Sequence, residues 1–416
     1  MGNQSRMACA AKAILANGSA HTIAVVAVVA VLSAGCADAP SSPEPSTVQS
    51  PSPDGSDMTS KAVLTWAAPV SLGSGFPTVV TSSQGAWVGL ESSASQVIGW
   101  RLTGDGDWVT QPVVGFGQFV PTALVSFRDR LIASAINPSD PASSAMFVSD
   151  DGARWTAIES AALNHGTIRS VVAGPQGALA IGIDSGRAAT WSSSDIDDWA
   201  FSAIDSPTGA VRLLTAATTS GGFVVAGLTG TDLDNAGGFK LEKPSTPAAW
   251  FSTDGIYWQA SAVEAIEAKG AHIQQVIATA NVLLAIGSDP MVDPDVASSL
   301  QVAWRSTDGR AWQRVGEVGI EIPSGMLAIT NDVLLVLGGG DLDPGSGGHL
   351  GGWLSGDALD WRPVAFAGSP DIPYAPGAQP LQPILDNILS GDVGLLVFGV
   401  GDEGERSWVA TLSPLR

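Results

Sequence analysis

The chain has 416 residues, 49 of them Gly and 26 Pro, with 14% charged residues and a formal net charge of −21. So acidic a surface meets nucleic acid and anionic lipid with like charge, which excludes both as direct partners. Gly-rich turns between short apolar runs, with no long 3.6-residue amphipathic pattern, predict an all-β fold of many short strands and exclude an α/β one.

Residues 1–35 read as a lipoprotein signal peptide. Arg6 and Lys12 precede the apolar run 23–32, which ends in Ser33, Ala34, Gly35 and Cys36. A basic start, a short apolar core and small residues before a cut describe a secretory signal, and the run falls short of the roughly 20 residues a membrane span needs. The small residues before Cys36 resemble a bacterial lipobox. That resemblance implies acylation of Cys36 and an extracytoplasmic chain anchored to the outer face of the bacterial cytoplasmic membrane. Cys9, the other cysteine, would leave with the signal, so Cys36 would have no disulfide partner. The alternative is an ordinary signal peptide with a chance cysteine. Residues 36–61, the acylated Cys36 and a disordered Pro/Ser-rich segment, read as a tether. In polyproline form, at roughly 3.1 Å per residue, they would lift a domain some ~70 Å from a membrane.

A repeat fills residues 62–416. Trp191 and Trp199, Trp250 and Trp258, Trp304 and Trp312, and Trp353 and Trp361 each stand eight residues apart, with Ser-x-Asp between them. Phe147 and Trp155 form a fifth such pair, and Trp100 and Trp108 a sixth whose Asp-Gly is displaced by one place. An apolar run ending near Gly precedes each pair. The unit reads as strand, turn, apolar strand, longer loop, strand with the first Trp, Asp-Gly turn, strand opened by the second Trp. That is a four-stranded antiparallel blade of about 45–55 residues. Trp408 has no partner eight residues on, since Arg416 stands there, but Leu64, Thr65 and Trp66 resemble the outer strands of the other units. The sequence therefore predicts a seven-bladed β-propeller whose last blade is closed by the N-terminal strand, Trp66 with Trp408. Closure of this kind removes free sheet edges. Trp87 alone of the 14 tryptophans lies outside the scheme.

The turns, with Asp151, Asp195, Asp254, Asp308 and Asp357, resemble the Asp-box (BNR-like) repeats of sialidase-like propellers, in a compact form with no residue between Asp and Gly. Ile196 and Ala358 stand where that pattern has Gly. The resemblance implies a structural role for these aspartates: each bonds amides of its own turn while the next residue takes positive φ. It also implies that these turns lie on one face of the propeller and the other loops on the opposite face.

The opposite face is predicted to carry an acidic rim. Asp184, Asp232, Asp234, Asp289, Asp293, Asp341, Asp343 and Asp402 follow the second strand of successive units, joined by Glu91 and Asp140. No motif requires a cofactor. Clustered Asp, Asn and carbonyl oxygens can hold Ca2+, which takes about six to eight oxygens, but Asp is also simply common in turns. His165, His272 and His349 are expected as solvated loop residues. The sialidase-like catalytic set is not matched: only two tyrosines occur, Tyr257 within a turn and Tyr374 in a Pro-rich connection, and Arg169 and Arg212 are the main inner-strand arginines. The expected function is a monomeric, non-catalytic binding or scaffolding module for a protein or glycan ligand. The alternatives are a glycoside hydrolase using two carboxylates and an assembly factor for an envelope complex.

Overall fold

The computed structural model describes residues 62–414 apart from 69, 73–75, 94–95, 104–106, 208, 231–244, 265–270, 291–298, 318–325, 340–349, 369–384, 392–393 and 402–403. The fold is a seven-bladed β-propeller of four-stranded antiparallel blades. The third blade shows the plan, with strands Thr167–Gly174, Gly177–Asp184, Arg187–Ser193 and Ala200–Ile204 paired in sequence order. The inner strands of the seven blades are Val79–Ser83, Val120–Phe127, Thr167–Gly174, Ala210–Thr219, His272–Ala278, Met326–Thr330 and Leu385–Gly391. Each packs against the next, and the seventh packs against the first, so they ring a central channel.

Sequence pattern explains why the core sits between blades. Both faces of each blade are covered by a neighbour, so the second strands run as unbroken apolar stretches such as Phe223, Val224, Val225 and Ala226, all buried. Seven apolar clusters result, one at each junction of adjacent blades. Val125, Ile132 and Met146 of the second blade, for example, meet Ile168, Trp191 and Ile196 of the third. Trp87, the residue without a place in the repeat, is buried with Trp100, Trp108, Leu396 and Phe398 where the first blade meets the seventh.

The ring closes through the N-terminal strand. Ala62–Trp66 pairs antiparallel with Gly404–Pro414, Trp66 opposite Ala410 and Leu64 opposite Leu412. At the junction of the seventh blade with the first, Trp108 Nε1 donates to Ser407 Oγ at 2.8 Å, joining residues 299 positions apart.

The outer strands carry a device that the repeat did not reveal. In three places the segment leaving one blade runs parallel to the outer strand of the next. Val114 bridges Arg154, Ala262–Val263 pairs with Ala311 and Trp312, and Ala365–Ala367 pairs with Val63, Leu64 and Thr65. Two sheets therefore hold more than four strands. Backbone hydrogen bonds thus add to apolar burial in holding neighbouring blades together.

The Ser-x-Asp turns are another peg between blades. Gly152, Gly255 and Gly309 take φ of 77°, 75° and 75°, and Ile196 and Ala358 take 72° and 65° in the same place. The turn therefore forms without its glycine, contrary to what the sequence pattern demands. The left-handed conformation costs a non-glycine residue about 1–2 kcal/mol, but the Ile196 side chain is 2% exposed and packs into the cluster between the second and third blades. Its burial returns about as much. Space decides which residue fits. A Cβ on Gly309 would sit 2.6 Å from Val224 Cγ2, whereas one on Gly152 would lie 3.3 Å from its nearest neighbours, Leu131 Cδ1 and Val88 Cγ1. Gly309→Ala is accordingly expected to destabilise by about 2–4 kcal/mol, backbone strain plus overpacking, and Gly152→Ala by about 1–2 kcal/mol from strain alone. Urea unfolding of both variants checks the order, and equal losses would refute the crowding argument.

Candidate functional site at the channel mouth

The two faces of the propeller differ in how their polar groups are used. On one face lie the turns. Asp151 Oδ1 accepts the amides of Ala153 and Arg154 at 2.8 Å each, while Ser149 Oγ accepts the Gly152 amide at 2.9 Å and donates to Asp151 Oδ1. Asp195, Asp254, Asp308 and Asp357 repeat the arrangement with Ser193, Ser252, Ser306 and Ser355. The Trp that follows often completes it: Trp155, Trp199 and Trp312 donate Nε1–H to the carbonyls of Gly152, Ile196 and Gly309. Tyr257 projects from one turn, 78% exposed.

These bonds hold all five carboxyl groups below the ordinary Asp value. Backbone amides are the largest influence at Asp151, Asp195 and Asp308. At Asp254 and Asp357 burial is the largest single influence and pushes upward, but the backbone amides, the serine hydroxyl and, at Asp357, the charge of Arg305 together outweigh it. A depressed folded-state pKa stabilises the fold above the unfolded value, and that contribution is lost as pH falls through the folded one. Melting temperature is therefore expected to drop from about pH 4 downward, near the unfolded Asp value. Asp308→Asn should flatten that acid limb; an unchanged limb in the variant would contradict the assignment.

The other face is assembled from the starts of the inner strands and the loops after the second strands. Gly166, leading into the third blade, lies so close to the end of Gly177–Asp184, where the next loop begins, that a Cβ there would collide with the Ile183 carbonyl and the Asp184 Cα. Both kinds of loop thus share this face. Of the predicted rim, Asp184 is half-buried and stands opposite Arg187, whose Nη2 reaches both Asp205 carboxylate oxygens at 2.6 Å. Asp289 lies in the strand Leu283–Pro290, opposite Leu300. Asp232, Asp234, Asp293, Asp341, Asp343 and Asp402 lie outside the described residues, as do His349 and Tyr374. Glu91 accepts Trp100 Nε1–H at 2.9 Å, and Asp140 is exposed at the start of Asp140–Ser149. No group of three or more His, Cys, Asp or Glu that could hold a metal ion occurs among the described residues.

The inner strands supply what the loop reading missed. Five of them bulge near the same end, between Pro121 and Ala123, Ile168 and Ser170, Leu213 and Thr215, Ile273 and Gln275, and Leu385 and Asn387. A bulge adds one unpaired residue and re-aims its side chain. The inserted residue is Thr122, Arg169, Leu214, Gln274 or Asp386. Arg169 and Gln274 are exposed although their strands are covered on both faces, so they open onto the channel. Arg212 lies one strand further round from Arg169. Burial lowers both guanidinium groups from the ordinary Arg value, and the positive charge of Arg169 lowers Arg212 further.

The histidines sort differently from the expectation of solvated loops. His272 opens the inner strand of the fifth blade, 6% exposed, with Nε2 3.1 Å from Gln274 Nε2. The cause is the adjacent bulge, which turns Gln274 to the channel while Ala271 and Ile273 anchor the strand start in the core between the fourth and fifth blades. His165 is an exposed loop residue, stacked on Phe201 at 4.8 Å between ring centroids.

No family model matches the chain, and no curated protein matches it. Solved structures do resemble it. The polysaccharide lyase Uly1 shares 11% identity, covering 82% of this chain and 91% of that one with a TM-score of 0.52. The β-propeller domain of the Trilobed protease from Pyrococcus furiosus shares 10% identity over 82% of this chain and 97% of that one, TM-score 0.44. The N-terminal domain of Nup159 shares 11% over 85% and 96%, TM-score 0.41. At such identity the likeness to the lyase is one of fold, and the chain is a seven-bladed β-propeller.

Proposed function

We propose that this chain is an extracytoplasmic binding module, anchored through an acylated Cys36 and its Pro/Ser tether, whose propeller engages a ligand at the channel mouth. The observation that carries the reading is the contrast between the faces. The turn carboxylates are consumed by their own backbone amides, whereas the bulged inner strands turn Arg169 and Gln274 outward into the channel. Recognition belongs where polar groups are held ready and water is partly excluded. Binding is favoured over glycoside hydrolysis because, among the described residues, the five displaced carboxyl groups are all lowered and all lie in the turns. A general acid needs a raised one.

A thermal-shift screen of the purified protein against a glycan panel, Ca2+ and EDTA tests this reading. A saturable shift with a ligand, lost on substituting Gln274→Ala but kept in Asp254→Ala, is the expected result. A shift that depends on the turn residues and not on the channel would overturn it. Mass spectrometry of the mature N-terminus tests the anchor, and an unmodified Cys36 would sink it.

A further inference from the structure

The three latches cover the outer edges of the second, fifth and seventh blades, and among the described residues no such segment lies on the first, third, fourth or sixth. An open edge offers its backbone groups to any other chain, and a charged side chain on it is a common safeguard. The residue just ahead of each outer-strand tryptophan shows how the edge is treated. Under a latch it is Arg154, Ala311 or Thr65, each paired with the latch itself. On the open edges of the first, third and sixth blades it is Asp107, Asp198 or Asp360, all exposed. The fourth blade breaks the pattern: it has Tyr257 there, an exposed aromatic, with exposed Ile256 before it and exposed Gln259 and Ala260 beyond.

The backbone of this edge repeats the latch site. In the second blade, Val114 gives its amide to the Ala153 carbonyl and its carbonyl accepts the Trp155 amide, at 2.9 Å each. In the fifth, the Ala262 amide donates to the Arg310 carbonyl at 2.8 Å. The matching groups of the fourth blade are the Ile256 carbonyl and the Trp258 amide. Ser202 Oγ, on the outer strand of the third blade, donates to the Ile256 carbonyl at 2.7 Å. Among the described residues no hydrogen bond reaches the Trp258 amide. The cause is the short connection: only residues 205–209 lie between the outer strand Ala200–Ile204 and the next inner strand, Ala210–Thr219. Crossing three strand spacings takes about 14 Å of the roughly 20 Å they can span, which leaves nothing to run along the edge.

We propose that the outer edge of the fourth blade, from Ile256 to Ala260, is a docking strand for an extended segment of a partner protein, which pairs with it in parallel as the latches pair elsewhere. The chain's own latches state the chemistry of the occupant: Val114, Ala262 with Val263, and Ala365, Phe366 and Ala367 are uncharged and small or apolar. Asp254 is exposed in the same turn and the chain carries a net charge of −21, so the occupant is free of acidic residues. The Tyr257 ring gives it a flat apolar anchor with a polar tip. This surface lies apart from the channel mouth, and it serves a protein partner whatever the channel binds.

The test uses a fluorescein-labelled synthetic peptide copying residues 362–368, the acid-free segment that contains the seventh blade's latch, in polarisation titrations against the full-length protein. The expected result is saturable binding, weakened at least tenfold when the peptide amides matching Ala365, Phe366 and Ala367 are N-methylated. Tyr257→Asp should weaken binding at least tenfold and leave the melting temperature unchanged, because the fold already carries Asp at this place in three blades. Tyr257→Phe should keep most of the affinity, and Gln274→Ala all of it. No saturable binding, equal affinity for the N-methylated peptide, or undiminished binding in Tyr257→Asp would each overturn the proposal. Loss of binding in Gln274→Ala would move the peptide to the channel and overturn it too. Sedimentation showing a dimer that Tyr257→Asp abolishes would give the edge to a second copy of the chain instead of a partner.

Discussion

Removing the segment Ala62–Trp66 is expected to abolish cooperative folding rather than merely trim an end. The strand is the outer strand of the seventh blade, paired with Gly404–Pro414 on one side and with Ala365–Ala367 on the other. Leu64 is fully buried and Trp66 nearly so, in the cluster between the sixth and seventh blades with Leu335, Leu354 and Trp408. Deleting a buried Leu costs about 2–5 kcal/mol and a buried Trp about 3–5 kcal/mol. Together they approach the whole stability of a typical domain, about 5–15 kcal/mol. The backbone loss adds to this, because the edge of Gly404–Pro414 would be left unpaired. A chain lacking residues 62–66 should show a broadened urea transition, dye-accessible apolar surface and concentration-dependent aggregation. Trp66→Ala, which keeps the strand, should lower stability by about 3–5 kcal/mol and retain a single transition. A truncated chain that unfolds as cooperatively as the wild type would show that the ring does not depend on this closure.

The second large effect is expected at Trp304. Its side chain has no exposed surface, Nε1 donates to the Glu264 carbonyl at 3.0 Å, and it packs so tightly on Gly287 that a Cβ there would lie 2.9 Å from the ring. Glu264 belongs to the segment latched onto the outer strand Ala311–Glu317, where its amide donates to the Trp312 carbonyl and its carboxylate accepts the Arg314 amide. One indole therefore ties core packing to the inter-blade latch. Trp304→Ala should cost about 3–5 kcal/mol. Trp304→Phe should cost about 1–2 kcal/mol, a lost hydrogen bond plus a modest volume change. Trp258, only partly buried, gives the contrast, and Trp258→Ala should fall below Trp304→Ala in chemical denaturation. Equal costs at the two sites would mean that burial is not what sets the scale.

Much of this architecture was legible in the residues. The eight-residue spacing of the tryptophans fixes the hairpin, because both must bury at the same inter-blade seam. The orphan Trp408 and the strand-like Leu64, Thr65 and Trp66 found each other for the same reason. The turns were legible too, including the two in which Ile196 and Ala358 stand where the pattern has Gly. A local rule about positive φ could not foresee that a neighbouring blade would bury the Ile196 side chain and offset the strain.

The channel mouth was far less legible. Acidic residues are conspicuous in the loops of the sequence, while Arg169 and Gln274 stand in it as ordinary strand residues. A faint signal was present: Ile168, Val171 and Ala173 point into one cluster, as do Ile273, Val276 and Ala278, and a step of three followed by a step of two breaks the strand alternation. That break marks a bulge, which redirects one side chain per strand.

The sequence by itself determined the repeat, the number of blades and the closure of the ring, because these follow from local pattern and the need to bury each apolar face. Only the tertiary structure decided which polar groups are consumed by their own turns and which are left facing the channel. That depends on how neighbouring blades crowd each strand, a relation between residues more than 40 positions apart such as Arg169 and Arg212, which no local pattern encodes.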